Sequence, residues 1–132
     1  MAKYVYPVIL TPEESGYYVN FPDVESCYTQ GDNLADALEM AKDVLALRLC
    51  HYENEKKSIP QPTLQERIAL ETGQIISLVS ADTLEYRKLW DNKAIKKTLT
   101  IPAWLNTFAE KENINFSEVL QKALKKELRI AN

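Results

Sequence analysis

The most constraining stretch of the chain is Lys96-Lys97-Thr98-Leu99-Thr100-Ile101-Pro102, a predicted strand with no sheet of its own to join. Thr98, Leu99, Thr100 and Ile101 alternate polar and apolar, the period of a strand with one buried face. Pro102 ends it and suits the first turn of a helix, where a missing N–H leaves no bond unmade. The spacing beyond predicts two amphipathic helices, split at Asn113-Ile114-Asn115. A lone strand must send its ladder bonds to a partner, and about forty residues lie near the lower size limit for independent folding. Such a segment predicts an obligate dimer whose strands pair into a two-stranded ribbon. A two-stranded ribbon fits the major groove of DNA.

On that ribbon Leu99 and Ile101 face the helices, so Lys96, Thr98 and Thr100 face outward as candidates for DNA contact. Lys donates to guanine O6/N7, and Thr bonds either base or touches the thymine methyl. Lys97 departs from the pattern: it falls on the inner face, from which its amine can snorkel outward to a phosphate. The predicted dimer core is Leu99, Ile101, Leu105, Phe108, Val119, Leu120, Ala123 and Leu124. Trp104, Ala109, Phe116 and Leu128 lie beside it. Asn115 with Glu118 predicts the cap of the second helix, and the free N–H groups of Phe116 and Ser117 there can hold a phosphate. Lys122, Lys125, Lys126 and Arg129 read first as a solvated face suited to the helix dipole. A ribbon that only dimerises and never meets DNA is the plainer alternative.

Charge is divided along the chain. Residues 1–92 carry 8 Lys and Arg against 15 Asp and Glu, a net of −7, whereas residues 93–132 carry 8 against 4, a net of +4. An acidic body with a basic tail points to two different partners, one basic and one a polyanion. Hydrophobic residues at 45% and charged residues at 27% are ordinary globular composition, which argues against disorder. No apolar run approaches the roughly 18 residues of a membrane span. MAKYVYPVIL lacks the apolar core of a signal peptide, so a cytoplasmic location without membrane contact is expected.

The body reads as a meander followed by a helix. Lys3–Leu10, Tyr17–Phe21 and Ser26–Gln30 are predicted strands separated by turn chemistry. Pro7 cannot donate a ladder bond, so strand one should lie at an edge or pair on one side there. Asn33 with Asp36 opens a long helix whose Leu34, Leu38, Ala41, Leu45, Leu49 and Tyr52 share one face. Thr63 with Glu66 predicts a short helix to about Glu71, with Gly73 as its C-cap. Gln74–Ala81 is a fourth strand, and Asp82 with Glu85 opens a last short helix through Trp90. Strand one is apolar at successive positions, so both faces of the sheet want cover. One helix covers one face; later segments, another subunit or a foreign partner must cover the other.

Two sets of residues carry a family resemblance. Tyr17-Tyr18-Val19-Asn20-Phe21-Pro22-Asp23, then Cys27, then Thr29-Gln30-Gly31-Asp32-Asn33-Leu34-Ala35-Asp36-Ala37-Leu38 resembles the N-terminal domain of the HicB-family antitoxins. Their usual pattern is Gly-Tyr-x-Val-x-Phe-Pro-Asp followed by a Gly-Asp-Thr-x-x-Glu-Ala helix start. Here Asn33 replaces Thr and Asp36 replaces Glu, both serviceable caps. Leu99–Asn106 and Ile114–Gln121 resemble the ribbon-helix-helix tail of the same family. The resemblance implies an α+β fold: a small antiparallel sheet with a packed helix, partial RNase H-like, over residues 1–92. A ribbon-helix-helix DNA-binding and dimerisation domain follows over 93–132.

It also implies a non-enzymatic antitoxin that inhibits a small basic HicA-like ribonuclease toxin and represses the shared operon by binding operator DNA. The expected assembly is a homodimer, or a tetramer on two half-sites. Tyr18 and Asn20, opposite Val19 and Phe21 by alternation, are the exposed candidates for toxin contact. A transcriptional regulator with a ligand-sensing N-terminal domain is the alternative.

Catalysis has little to work with. A two-metal nuclease needs clustered carboxylates, and strand one contains no Asp or Glu. Glu39 and Asp43 fall on the polar face of the long helix. Ser15, Ser26 and Ser58 have no histidine placed to activate them, and Gly16, Gly31 and Gly73 form no phosphate loop. Cys27 and Cys50 have no CxxC spacing and read as reduced apolar side chains, and His51 alone builds no metal site. No catalytic residue, metal or cofactor is expected.

Overall fold

The computed structural model describes residues 2–130, and the chain divides into two compact units, Met1–Lys93 and Ala94–Asn132. The fold is α+β. In the first unit β1 (Lys3–Glu13), β2 (Gly16–Asn20) and β3 (Tyr28–Gly31) form an antiparallel meander. Helix α1 (Leu34–Asn54) follows, then β4 (Ile75–Asp82) and α2 (Thr83–Trp90). The strand order is β3-β2-β1-β4.

Proline placement explains how β1 becomes central. β4 pairs with it over Lys3–Leu10, whereas β2 pairs only from Ile9 onward, so Pro7 sits where β1 has a single neighbour. Its missing N–H therefore leaves the β2 ladder intact, the one-sided pairing expected of it. β1 also runs beyond Leu10, because β2 stays in register down to Glu13 opposite Gly16. β3 begins at Tyr28 rather than Ser26, whose left-handed φ of 54° breaks the strand.

The inner face of the sheet meets α1. Tyr6, Val8, Leu10, Val19, Val79 and Ala81 pack on Ala37, Ala41, Leu45 and Leu49, and Phe21, Val24 and Cys27 close the end. Burying each of the larger side chains contributes about 1.5–3 kcal/mol. The Asn33 side chain accepts from the Asp36 N–H at 2.8 Å, and the Asp36 carboxylate accepts from the Asp32 N–H at 2.9 Å. This is a capping box reaching one residue earlier than usual. Leu34, expected on the sheet face, is exposed instead. The sheet touches the helix one turn later: a Cβ on Gly31 would stand 2.4 Å from the Ala37 nitrogen.

The helix expected from Thr63 to Glu71 does not form; a single 3-10 turn, Gln65–Arg67, takes its place. Asp23 claims both the N–H and the hydroxyl of Thr63, the groups a cap would use, and the Tyr6 hydroxyl donates to the Pro60 carbonyl. Long-range bonds have overridden the local capping signal. Gly73 serves a turn before β4 at φ +88°. Helix α2 starts as expected, with the Asp82 carboxylate accepting from the Leu84 and Glu85 N–H groups.

The second unit has two helices, α3 (Ala103–Lys111) and α4 (Phe116–Glu127). Asn113 turns the chain between them at φ 55°, a conformation Asn tolerates, and the Asn115 side chain accepts from the Glu118 N–H at 3.1 Å. The strand expected over Lys96–Pro102 has no ladder in the single chain, since its bonds need a second strand. The expected core is likewise not buried here. Leu99, Ile101, Leu105, Phe108, Val119, Ala123 and Leu124 are exposed, and Leu120 is half-buried. Two helices of 9 and 12 residues enclose too little volume for a core of their own.

Candidate partner-binding surfaces

Register decides what the sheet shows on the side away from α1. Ile9 pairs with Asn20 and Ile76, Asn20 with Tyr28, and Pro7 with Leu78, so these side chains share one face. Thr11, Tyr18 and Gln30 share it too, as do Val5 and Ser80. Pro7 is fully buried there and Ile9 half-buried, but Tyr28 is 58% and Leu78 53% exposed, with Val5 and Tyr18 also open. The Tyr18 and Tyr28 rings lie 6.3 Å apart, a tilted pair that presents a continuous aromatic surface. Tyr18 and Asn20 thus stand where alternation put them, Asn20 half-buried. Alternation on strand two could not supply Val5, Tyr28 and Leu78. Their signal is the doubly apolar β1 combined with the pairing of its neighbours.

Beside the β1–β2 turn, a hollow of about 860 Å³ is lined by Glu13, Glu14, Asp32 and Asp36 together with Gln30 and Met40. It is strongly acidic. Gly16 closes the turn at φ +123°, and a Cβ there would lie 2.1 Å from the Gly31 carbonyl oxygen.

A polar lock holds the opposite end of the unit. Glu53 accepts from the Tyr4 hydroxyl at 2.9 Å, the Thr83 hydroxyl at 2.8 Å and the Arg87 guanidinium at 3.1 Å. Burial pushes the Glu53 carboxyl up, but hydrogen bonds from the chain's amino terminus, Thr83, Arg87 and Tyr4 together outweigh it and hold it below the usual carboxylate range. Thr83 also exchanges bonds with the Ala2 backbone. The lock joins the start of β1, the end of α1 and the start of α2. Burial raises the Cys27 thiol to about 12 and the Tyr6 phenol to about 12, marking both as neutral core groups. Among the described residues no three His, Cys, Asp or Glu side chains gather to hold a metal ion.

In the second unit a groove of about 620 Å³ is lined by Leu99, Ile101, Phe116, Val119, Leu120 and Ala123, with Lys97, Asn106 and Glu110 among them. It brings together most of the predicted dimer core. Lys96, Thr98 and Thr100 do not line it; they are exposed, as are Lys97, Leu99 and Ile101 in the single chain. Ser117 lies at the groove beside Phe116, where α4 begins under the Asn115 cap.

The profile of a family described as HicB_like antitoxin of bacterial toxin-antitoxin system matches residues 5–78, more than half of the chain. The chain belongs to this HicB-like antitoxin family. Antitoxin HicB 1 of Photorhabdus laumondii is 47% identical over 66 residues, covering 48% of this chain and 43% of that protein. Antitoxin HicB of Escherichia coli K12 is 44% identical over 59 residues, covering 44% and 43%. The match therefore spans less than half the length of these relatives.

Among solved structures, a chain of a toxin–antitoxin complex from Streptococcus pneumoniae superposes with a TM-score of 0.63 at 28% identity, covering 95% of this chain and 99% of that one. A chain from a HicA3 and HicB3 toxin–antitoxin complex gives a TM-score of 0.51 at 25% identity, covering 60% and 99%. The HicB-like profile takes in β1 to β4 up to Leu78, hence the exposed sheet face, and stops short of the tail. No helix among the described residues of this HicB-like chain is long and apolar enough to cross a membrane.

Proposed function

We propose that this HicB-like chain is an antitoxin that binds and inhibits a small basic mRNA-interferase toxin through its first unit and represses its own operon through its second. The observation that carries the reading is a pair of unfinished surfaces of opposite charge. An acidic unit leaves an apolar sheet face uncovered, and a basic unit leaves two helices without a core.

On this reading the toxin seats on the outer sheet face. Tyr18, Tyr28, Leu78 and Val5 provide the desolvated anchors, Asn20 a polar contact, and Glu13, Glu14, Asp32 and Asp36 the field that steers a basic partner. The family resemblance supports the choice of partner, as does the fold shared with a chain of a HicA3–HicB3 complex. The second unit dimerises by closing its groove on a second copy, and the paired Lys96–Pro102 segments become a ribbon. Lys96, Thr98 and Thr100 then reach base edges, while the start of α4 at Asn115, Phe116 and Ser117 holds a phosphate.

Co-expression with the small basic protein encoded beside it tests the first half: growth is rescued and the two co-purify. No rescue and no complex would overturn it. For the second half, Lys96→Ala with Thr98→Ala weakens operator binding at fixed salt and leaves the dimer intact, whereas Leu99→Asp abolishes the dimer. Unchanged operator affinity in the first variant would remove the groove-reading role.

A further inference from the structure

Lys97 is the one tail residue that contradicts its own pattern, a cation on the face turned to the helices. In the structure it lines the groove formed by Leu99, Ile101, Phe116, Val119 and Leu120, and among the described residues it makes no ion pair there. Among the described residues the same groove holds one carboxylate, Glu110 on α3. Asn106 donates to the Glu110 Oε1 at 3.3 Å, and among the described residues its Oε2 has no partner. The groove thus presents, beside the polar Asn106 and Ser117, one exposed charge of each sign.

A surface that mates with itself about a two-fold axis makes every contact twice: if residue i meets residue j of the partner, j meets i. Covering this groove strips water from both charges, and an uncompensated buried charge is strongly unfavourable. The self-complementary solution is for each cation to meet the other copy's carboxylate. A foreign apolar helix would leave both charges unpaired. Lys97 and Glu110 therefore favour a second copy of this chain as the occupant.

We infer that Lys97 of one subunit pairs with Glu110 of the other across the closed groove, and that this reciprocal pair selects the homodimer and its register. The inference rests on the tail dimer proposed above. It replaces a phosphate contact as the role of Lys97. The pair acts as a specificity device at the edge of an apolar interface, the use for which buried polar pairs are best attested.

Charge exchange in the full-length chain tests it. Lys97→Glu and Glu110→Lys each raise the dimer dissociation constant in sedimentation by about tenfold or more, as close interfacial charges do. The double variant returns to within about threefold of the unaltered chain. The decisive arm mixes the two single variants with different tags. Their heterodimer regains both attractive pairs and forms about tenfold more tightly than either homodimer. Circular dichroism of each variant checks that α3 and α4 are retained, and recovery in the double variant separates charge from misfolding.

Three results would overturn the pair. One is an unchanged dissociation constant in both single variants. Another is recovery in the double variant without recovery in the mixture, which places the pair within one chain. The third is lost operator affinity with unchanged dimerisation in Lys97→Glu, which returns Lys97 to a phosphate. A monomeric unaltered chain at micromolar concentration would instead remove the tail dimer itself, and the pair with it.

Discussion

Glu53→Gln is the sharpest probe of how the first unit is held together. The Glu53 side chain is 12% and the Arg87 side chain 17% exposed, so the pair is largely withdrawn from solvent. Glutamine keeps one oxygen, which it retains best toward the Tyr4 and Thr83 hydroxyls because two donors converge there. Its amide then faces Arg87, and one charge-assisted hydrogen bond is lost, about 1.5–3 kcal/mol. Arg87 keeps the Asn54 side chain at 2.9 Å and the Cys50 carbonyl at 3.3 Å, which limits the loss to about 2 kcal/mol. For a unit of this size, that lowers the melting temperature by about 8–16 °C.

The sign of the pH dependence follows from the lowered Glu53 carboxyl. Its stabilisation is fully present above the ordinary carboxylate value and is lost as pH falls through the lower folded-state value. The gap between the two proteins, followed by near-ultraviolet circular dichroism on heating, therefore narrows as pH falls below the ordinary carboxylate value. A melting temperature within about 2 °C of the unaltered chain at neutral pH would refute the lock, as would a gap that does not narrow as the pH is lowered.

Gly31→Ala places a Cβ 2.4 Å from the Ala37 backbone nitrogen, and backbone cannot swing aside, so the first unit loses about 2 kcal/mol or more in urea denaturation. Cys27 and Cys50 are buried, with both thiols raised chiefly by burial, so Ellman's reagent at pH 8 finds no reactive thiol until denaturant is added. Leu78→Asp, on the open sheet face, leaves the melting temperature within about 2 °C but weakens toxin capture by about tenfold or more in calorimetry, with operator affinity unchanged. Equal toxin affinity in that variant would move the toxin off the outer face.

Local chemistry by itself determined where this chain makes its elements. Asn33, Asp82 and Asn115 cap helices because a short side-chain oxygen reaches an N–H two or three residues on, and that reach depends on nothing distant. The HicB-like motif around Phe21-Pro22-Asp23 and Gly31-Asp32 lies within a single meander and is legible for the same reason. Where a residue's partner is remote, pattern misleads. Thr63 looks like a cap, but Asp23, forty positions away, takes both of its donors.

Tertiary structure alone decided which apolar residues form one surface. Val5, Tyr18, Tyr28 and Leu78 come from four strands, and only the β3-β2-β1-β4 order and its register place them on one face. It also explains Pro7, whose tolerance depends on β2 joining β1 two residues later. In the tail, alternation singles out Lys97 as a cation on an apolar face, but that Glu110 of α3 lines the same groove is visible only in three dimensions. Sequence periodicity reports the face a side chain takes; what meets it there is fixed by packing.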